Sequence, residues 1–148
     1  MIWLRYLGLD LGTRTLGVSI SDITHLVATT LTTLHFNDSD YDESINKLKP
    51  IIEENNIGKI VLGFPKNMNG TVGPRALLAL EFKEKLEKAF NIEVVMQDER
   101  LTTKEAESYM LKADMSRKKR KQKIDSLAAN IILQTYLDKE RNEKHANG

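Results

Sequence analysis

The sequence predicts an α/β protein built on one mixed five-stranded sheet, three antiparallel strands followed by βαβ units, with helices on both faces. Three observations carry this. Short apolar and β-branched segments crowd the first 36 residues, with no helical period among them. Beyond residue 40, helical repeats alternate with apolar runs. One of these runs, KIVLGF at 59–64, lacks the apolar–polar alternation of a half-exposed strand and fits one covered on both faces.

Residues 4–10 and 16–21 form the first hairpin around GTR, and LVATTLTTLHF at 26–36 supplies a third strand. YDESINKLKPIIEENN repeats apolar residues at 45, 48, 51 and 52, a helical spacing, with Pro50 as a point of kinking. After the strand at 59–64, the loop PKNMNGTVGPR carries Asn-Gly and Gly-Pro breakers. Pro74 then opens an amphipathic helix over 75–90, and IEVVM at 92–96 is the fifth strand. Thr102 and Glu105 have capping-box spacing and start a helix that runs to about Ala113. A basic run follows, and KIDSLAANIILQTYLDK forms the last helix. The order β-β-β-α-β-α-β-α-α is that of an RNase H-like fold. Residues 1–138 make one domain, and 139–148 read as a polar, frayed tail.

Composition excludes several functions. The chain has 148 residues, 41% hydrophobic and 29% charged, as in an ordinary globular domain. With no cysteine, disulfides and thiolate metal sites are excluded, and a reducing cytoplasm is the expected location. The N-terminal apolar run is broken by Arg5 and Asp10, so neither a signal peptide nor a membrane contact is expected. His25, His35 and His145 lack ligand spacing, which disfavours a His-based zinc site. The net charge is only +1, but RKKRKQK at 117–123 gathers six cations in seven residues.

Three carboxylates fall on three different elements. Asp10 ends the first strand, Glu99 lies just past the fifth, and Asp125 sits one turn into the last helix. Positions 125, 128, 129, 132 and 136 share one side of that helix, and apart from Asp125 they are Ala, Ala, Ile and Tyr. A carboxylate on such a side needs a hydrogen-bond partner or a cation; taken alone, pairing with a lysine satisfies Asp125 as well as a metal does. The three together suit hard Mg²⁺ or Mn²⁺.

Beside them, Asn67, Asn69, Gly70 and Arg75 follow a strand end and precede a helix, where anions are favoured. An Asn-Gly turn with an exposed arginine explains the same residues. Arg100 fits a phosphate contact or a salt bridge, whereas Asp22 and Asp98 read first as turn residues. Arg117, Lys118, Lys119, Arg120, Lys121 and Lys123 suit backbone contacts with a polyanion and are expected to be mobile without one. The segment has no aromatic residue for base stacking.

Four blocks, GLDLGTRTLGVSISD, KIVLGFPKNMNGTVGPRA, DERLTTKEAE and RKKRKQKIDSLAANIILQTYLD, span nearly the whole chain. They resemble the YqgF family, Holliday-junction-resolvase-like proteins linked to pre-16S rRNA processing. The resemblance implies an RNase H-like fold and a metal-dependent nuclease, with the acidic residues falling on Asp10, Glu99 and Asp125. One position departs from it: many members carry a basic residue where this chain has Thr15, so a phosphate contact would pass to Arg14. The expected partner is therefore nucleic acid, with maturation of the 5′ end of pre-16S rRNA as the leading reaction. Cleavage of branched DNA, which calls for a homodimer, and a non-catalytic ribosome-assembly module are the alternatives; monomer and homodimer both remain open. A sugar-kinase-like ATPase, for which DLGTRTLG would hold phosphate, needs two such halves, and the chain has room for one.

Overall fold

The computed structural model describes residues 4–65, 69–98 and 117–147, and for 117–126 and 144–147 it describes the backbone alone. The elements run β1 (Arg5–Leu11), β2 (Thr15–Ser21), β3 (Ala28–His35), α1 (Tyr41–Glu54), β4 (Ile57–Phe64), α2 (Pro74–Phe90), β5 (Glu93–Asp98) and α3 (Arg117–Asn147). The sheet order is β3-β2-β1-β4-β5. The β1–β2 and β2–β3 pairs are antiparallel, while β1–β4 and β4–β5 are parallel. This is the mixed, RNase H-like sheet that the element order predicts.

Local chemistry sets the boundaries. The turn after β1 closes through the Gly12 N–H, which donates to the Thr15 carbonyl at 2.8 Å. The Asp40 side chain caps α1 by accepting from the Glu43 N–H at 3.1 Å. That helix passes through Pro50. Pro50 and Asn46 are both exposed, so water can serve the carbonyl that loses its donor. Helix α2 starts with Pro74 in its first turn and stops at Asn91, whose φ of 52° is left-handed.

Side-chain alternation splits the sheet into two faces. Leu7, Leu9, Leu16, Val18, Ile60 and Leu62 turn to one side and pack with Leu48, Ile52, Phe82 and Leu86 of α1 and α2. On the other side, Val61 packs with Ala28 and with Ile132, Leu133 and Leu137 of α3. The burial of Ala128, Ala129 and Ile132 is the pattern expected for that side of the last helix.

Two sequence expectations about α3 are corrected. The helix, described from Arg117 onward, includes the basic run instead of following it. It also continues to Asn147, with no polar coil from 139 onward. Glu140 explains the extension. It accepts from the Tyr6 hydroxyl at 3.0 Å and from Lys59 Nζ at 3.4 Å, which draws the polar end of the helix onto the sheet. The helix expected over 102–113 lies outside the described residues.

Candidate functional site

Asp10 is the penultimate residue of β1, half-buried, on the face that carries α3. Its cross-strand partner in β2 is Gly17. On the other side, Leu9 pairs with Leu62, so continuation of the parallel register sets Asp10 beside Gly63 of β4. Gly63 in turn pairs with Gln97 of β5, and Gly17 with Thr33 of β3. Asp10 therefore stands in a row whose immediate neighbours on both sides have no side chain. Adjacent strands are about 4.8 Å apart, so the neighbouring strands themselves put no side chain within roughly that distance on either flank.

Helix α3 crosses this face antiparallel to β1. Tyr6 contacts Tyr136, with ring centroids 6.1 Å apart, and also Glu140. Two residues further along β1, Gly8 lies against Ala129 and Leu133, two turns earlier in the helix. The same antiparallel course carries the N-terminal part of the helix, which includes Asp125, toward the end of the sheet where Asp10 stands. Contact at Gly8 is close: a Cβ there would lie 2.3 Å from Ser19 Oγ and 2.6 Å from the Leu133 Cβ. Ser19 is fully buried, and its hydroxyl donates to the Ala129 carbonyl at 2.8 Å.

At the far end of α3, Lys59 Nζ donates to the Tyr136 hydroxyl at 3.0 Å and pairs with Glu93 at 3.6 Å. It lies 4.9 Å from the Tyr6 ring centroid, and the His25 ring stacks on Tyr6 with centroids 4.0 Å apart. Burial opposes the Lys59 charge, but the tyrosine hydroxyls and the Glu140 carboxylate outweigh it and raise its pKa. Burial, followed by the Glu140 hydrogen bond, raises that of Tyr6. The sequence signal for this anchor was the parity of Tyr6, Gly8 and Asp10, which put all three on one face. The partners Lys59 and Glu140 had no signal, because the contact from Tyr6 to Glu140 spans 134 positions.

The remaining candidate residues divide. Glu99, Arg100 and Asn67 lie outside the described residues. Of Asp125, Arg117, Lys118, Lys119, Arg120, Lys121 and Lys123 only the helical backbone is described. Arg14 is in the β1–β2 turn, at the same end of the sheet as Asp10, with a 3.8 Å exposed ion pair to Asp38. Arg75 lines an open cleft of about 330 Å³ with Gly12, Thr13, Gly63 and Pro65. Leu11, Leu78 and Ala79 also line it, which puts the cleft on the α1–α2 side, across the sheet from Asp10. Asn69 accepts from the Thr71 N–H and hydroxyl at 3.1 and 2.7 Å, and Gly70 has a φ of 85°, so these two form a turn.

Asp22 also has the turn role read for it. Partial desolvation pushes its pKa up, but bonds from the Thr24 hydroxyl and the Val27 and Leu26 N–H groups hold it down at about 2. Among the described residues, no three His, Asp or Glu side chains gather as a metal-ligand group. The same limit applies to membranes: no helix of the described residues is long and apolar enough to cross one.

The fold is shared with junction resolvases. Thermus thermophilus RuvC bound to a Holliday junction superposes with a TM-score of 0.59 at 12% identity, covering 94% of this chain and 96% of that one. Fowlpox virus resolvase with its junction DNA gives 0.56 at 12% identity, over 92% and 98%. Within that fold the family is closer at hand. Residues 4–139 match the model described as RuvX: Holliday junction resolvase, and the chain belongs to this RuvX/YqgF family. A Bacillus subtilis (strain 168) protein named "Putative pre-16S rRNA nuclease" is 51% identical over 135 residues, 91% of this chain and 98% of that protein. One of the same name from Staphylococcus aureus (strain JH9) is 50% identical over 139 residues, 93% and 98% of the two chains.

Proposed function

We propose that this chain is a divalent-metal-dependent nuclease that acts on structured nucleic acid and matures the 5′ end of pre-16S rRNA in the cytoplasm. The observation behind it is the place of Asp10, flanked in its row by Gly17 and Gly63, on the sheet face that the helix carrying Asp125 covers. That row fits a hard cation. Its side chains offer oxygen, a carboxylate from Asp10 and an amide from Gln97, and the glycines leave space that a Cβ would fill. Asp10, Glu99 and Asp125 would hold Mg²⁺ or Mn²⁺. Glu99 follows β5 directly in the sequence.

A bound Mg²⁺ or Mn²⁺ supplies activation of water and neutralisation of charge at a phosphodiester. The protein's own part is to grip and orient the backbone. Arg14 stands in the turn after Asp10, Arg75 would reach the backbone from the cleft on the opposite face, and Arg117, Lys118, Lys119, Arg120, Lys121 and Lys123 lie on the helix that carries Asp125. Asn67 and Arg100 complete the proposed set. Contacts of this kind read shape and phosphate and weaken steeply with salt.

The relatives' name favours RNA, whereas the family description and the resolvase neighbours favour branched DNA as a second reading. Cleavage of a 5′-extended pre-16S fragment and of a four-way DNA junction, each in Mn²⁺, separates them. The RNA is expected to be cut, and Asp10→Asn is expected to reduce the rate more than about 100-fold, beyond the loss typical of a residue that only supports a ligand. Activity that survives chelation or Asp10→Asn would remove the metal reading. Full complementation of a depleted strain by Asp125→Asn would favour a non-catalytic assembly module.

A further inference from the structure

We infer that Gly8 and Ser19 are positioning residues that set the spacing and register of Asp125 against Asp10. The inference rests on the proposed nuclease reading and assigns a role to two residues that touch neither metal nor substrate in it. Both lie on β1 and β2 in the row next to Asp10, as a cross-strand pair.

The geometry has two parts, distance and register. Distance comes from Gly8. Any Cβ at this position would meet the Ala129 carbonyl at 3.0 Å and the Leu133 Cβ at 2.6 Å, so only glycine lets the helix backbone come this close. Register comes from Ser19. Its hydroxyl is fully buried against the helix, where alanine would avoid the desolvation cost. What the hydroxyl adds is direction: it bonds one helix carbonyl, that of Ala129, at 2.8 Å. A slip of one residue would move the helix by about 1.5 Å and rotate it by roughly 100°, breaking this bond.

From this contact to the two carboxylates the distances match. Asp10 lies two residues along β1 from Gly8, about 6.7 Å. Asp125 lies four residues along α3 from Ala129, about 6 Å in the same direction. The hydrogen bond is thus one helical turn from the pair it sets. A displacement there of even about 1 Å is the size that costs a preorganised site two orders of magnitude.

The test compares Ser19→Ala with Ile52→Val, a core change on the opposite face of the sheet, both followed by melting. The probe is Mn²⁺ alone, titrated by calorimetry, with steady-state cleavage of the pre-16S fragment alongside. Ser19→Ala is expected to bind Mn²⁺ about tenfold more weakly and to lower kcat in step, with KM for RNA unchanged. Ile52→Val is expected to lose a comparable few degrees of Tm while keeping wild-type Mn²⁺ affinity and kcat. Wild-type Mn²⁺ affinity in Ser19→Ala, or an equal loss in Ile52→Val, would overturn the positioning role. Asp10→Asn runs in the same series. If it binds Mn²⁺ as the wild type does, the metal reading itself has failed and the inference falls with it.

Discussion

The two faces of the sheet are held by different means. Against α1 and α2 lie large side chains with no polar atom among them, Leu7, Leu9, Leu62, Phe82 and Leu86, all essentially inaccessible. Against α3, beside the apolar Val61, Ile132, Leu133 and Leu137, stand small and polar contacts: Gly8, Ser19, Ala128 and Ala129, then Gln134, which accepts from the Ala28 N–H at 2.8 Å and donates to the Leu26 carbonyl at 2.9 Å. Beyond them stand Lys59, Tyr6, Tyr136 and Glu140. Apolar packing rewards burial and is indifferent to small slides. Hydrogen bonds and backbone-close contacts reward one register. On the first face packing is apolar throughout these residues, and on the second the polar contacts fix where a helix stands.

Substitutions can break this division. Phe82→Ala on the first face removes a ring that is 1% exposed and edge-on to Tyr41, with centroids 6.0 Å apart. Unfolding in urea is expected to show a loss of about 3–5 kcal/mol. Below its melting temperature the variant should bind Mn²⁺ with wild-type affinity, and a large loss there would erase the division. Gly8→Ala on the second face inserts one methyl into a contact without room for it. About 1–3 kcal/mol is expected, as for other overpacked sites. Here the Mn²⁺ affinity should fall as well, because the helix must move away from β1. A variant destabilised to that extent with unchanged affinity would mean that α3 moves without carrying the site.

The same contrast explains what could be read from the sequence. Periodicity reports burial, so the strands, α1, α2 and the apolar side of α3 at 128, 129, 132 and 136 were legible from residue type alone. The candidate carboxylate Asp10 was legible because a charge directly after an apolar run stands out. Its glycine neighbours were not, since Gly17 and Gly63 become neighbours of Asp10 only once strand order and register exist. Nor was the anchor of Lys59 and Glu140, which depends on tertiary distance and made a polar stretch look like a tail. The basic run was expected to precede the last helix and to be mobile without a polyanion, yet its backbone is continuous with the helix that carries Asp125.

The smallest expected effect probes the loop that joins the second face to the sheet edge. Asp22 accepts from the Leu26 and Val27 N–H groups at 2.8 and 3.0 Å, and Gln134 of α3 holds the same loop through the Leu26 carbonyl. Its pKa falls from 3.8 to about 2 on folding, so the folded state favours the ionised form. That contribution is complete above about pH 4 and is lost as pH drops from 4 through 2. Because the carboxylate is barely buried, solvent screening limits it to about 1 kcal/mol, less than the shift alone implies. Urea unfolding of wild type and Asp22→Asn should differ by that amount at pH 6 and converge near pH 2. A pH dependence that persists undiminished in Asp22→Asn would place the acid-sensitive contact elsewhere, and the loop would lose its standing as the point where protons loosen the grip of α3.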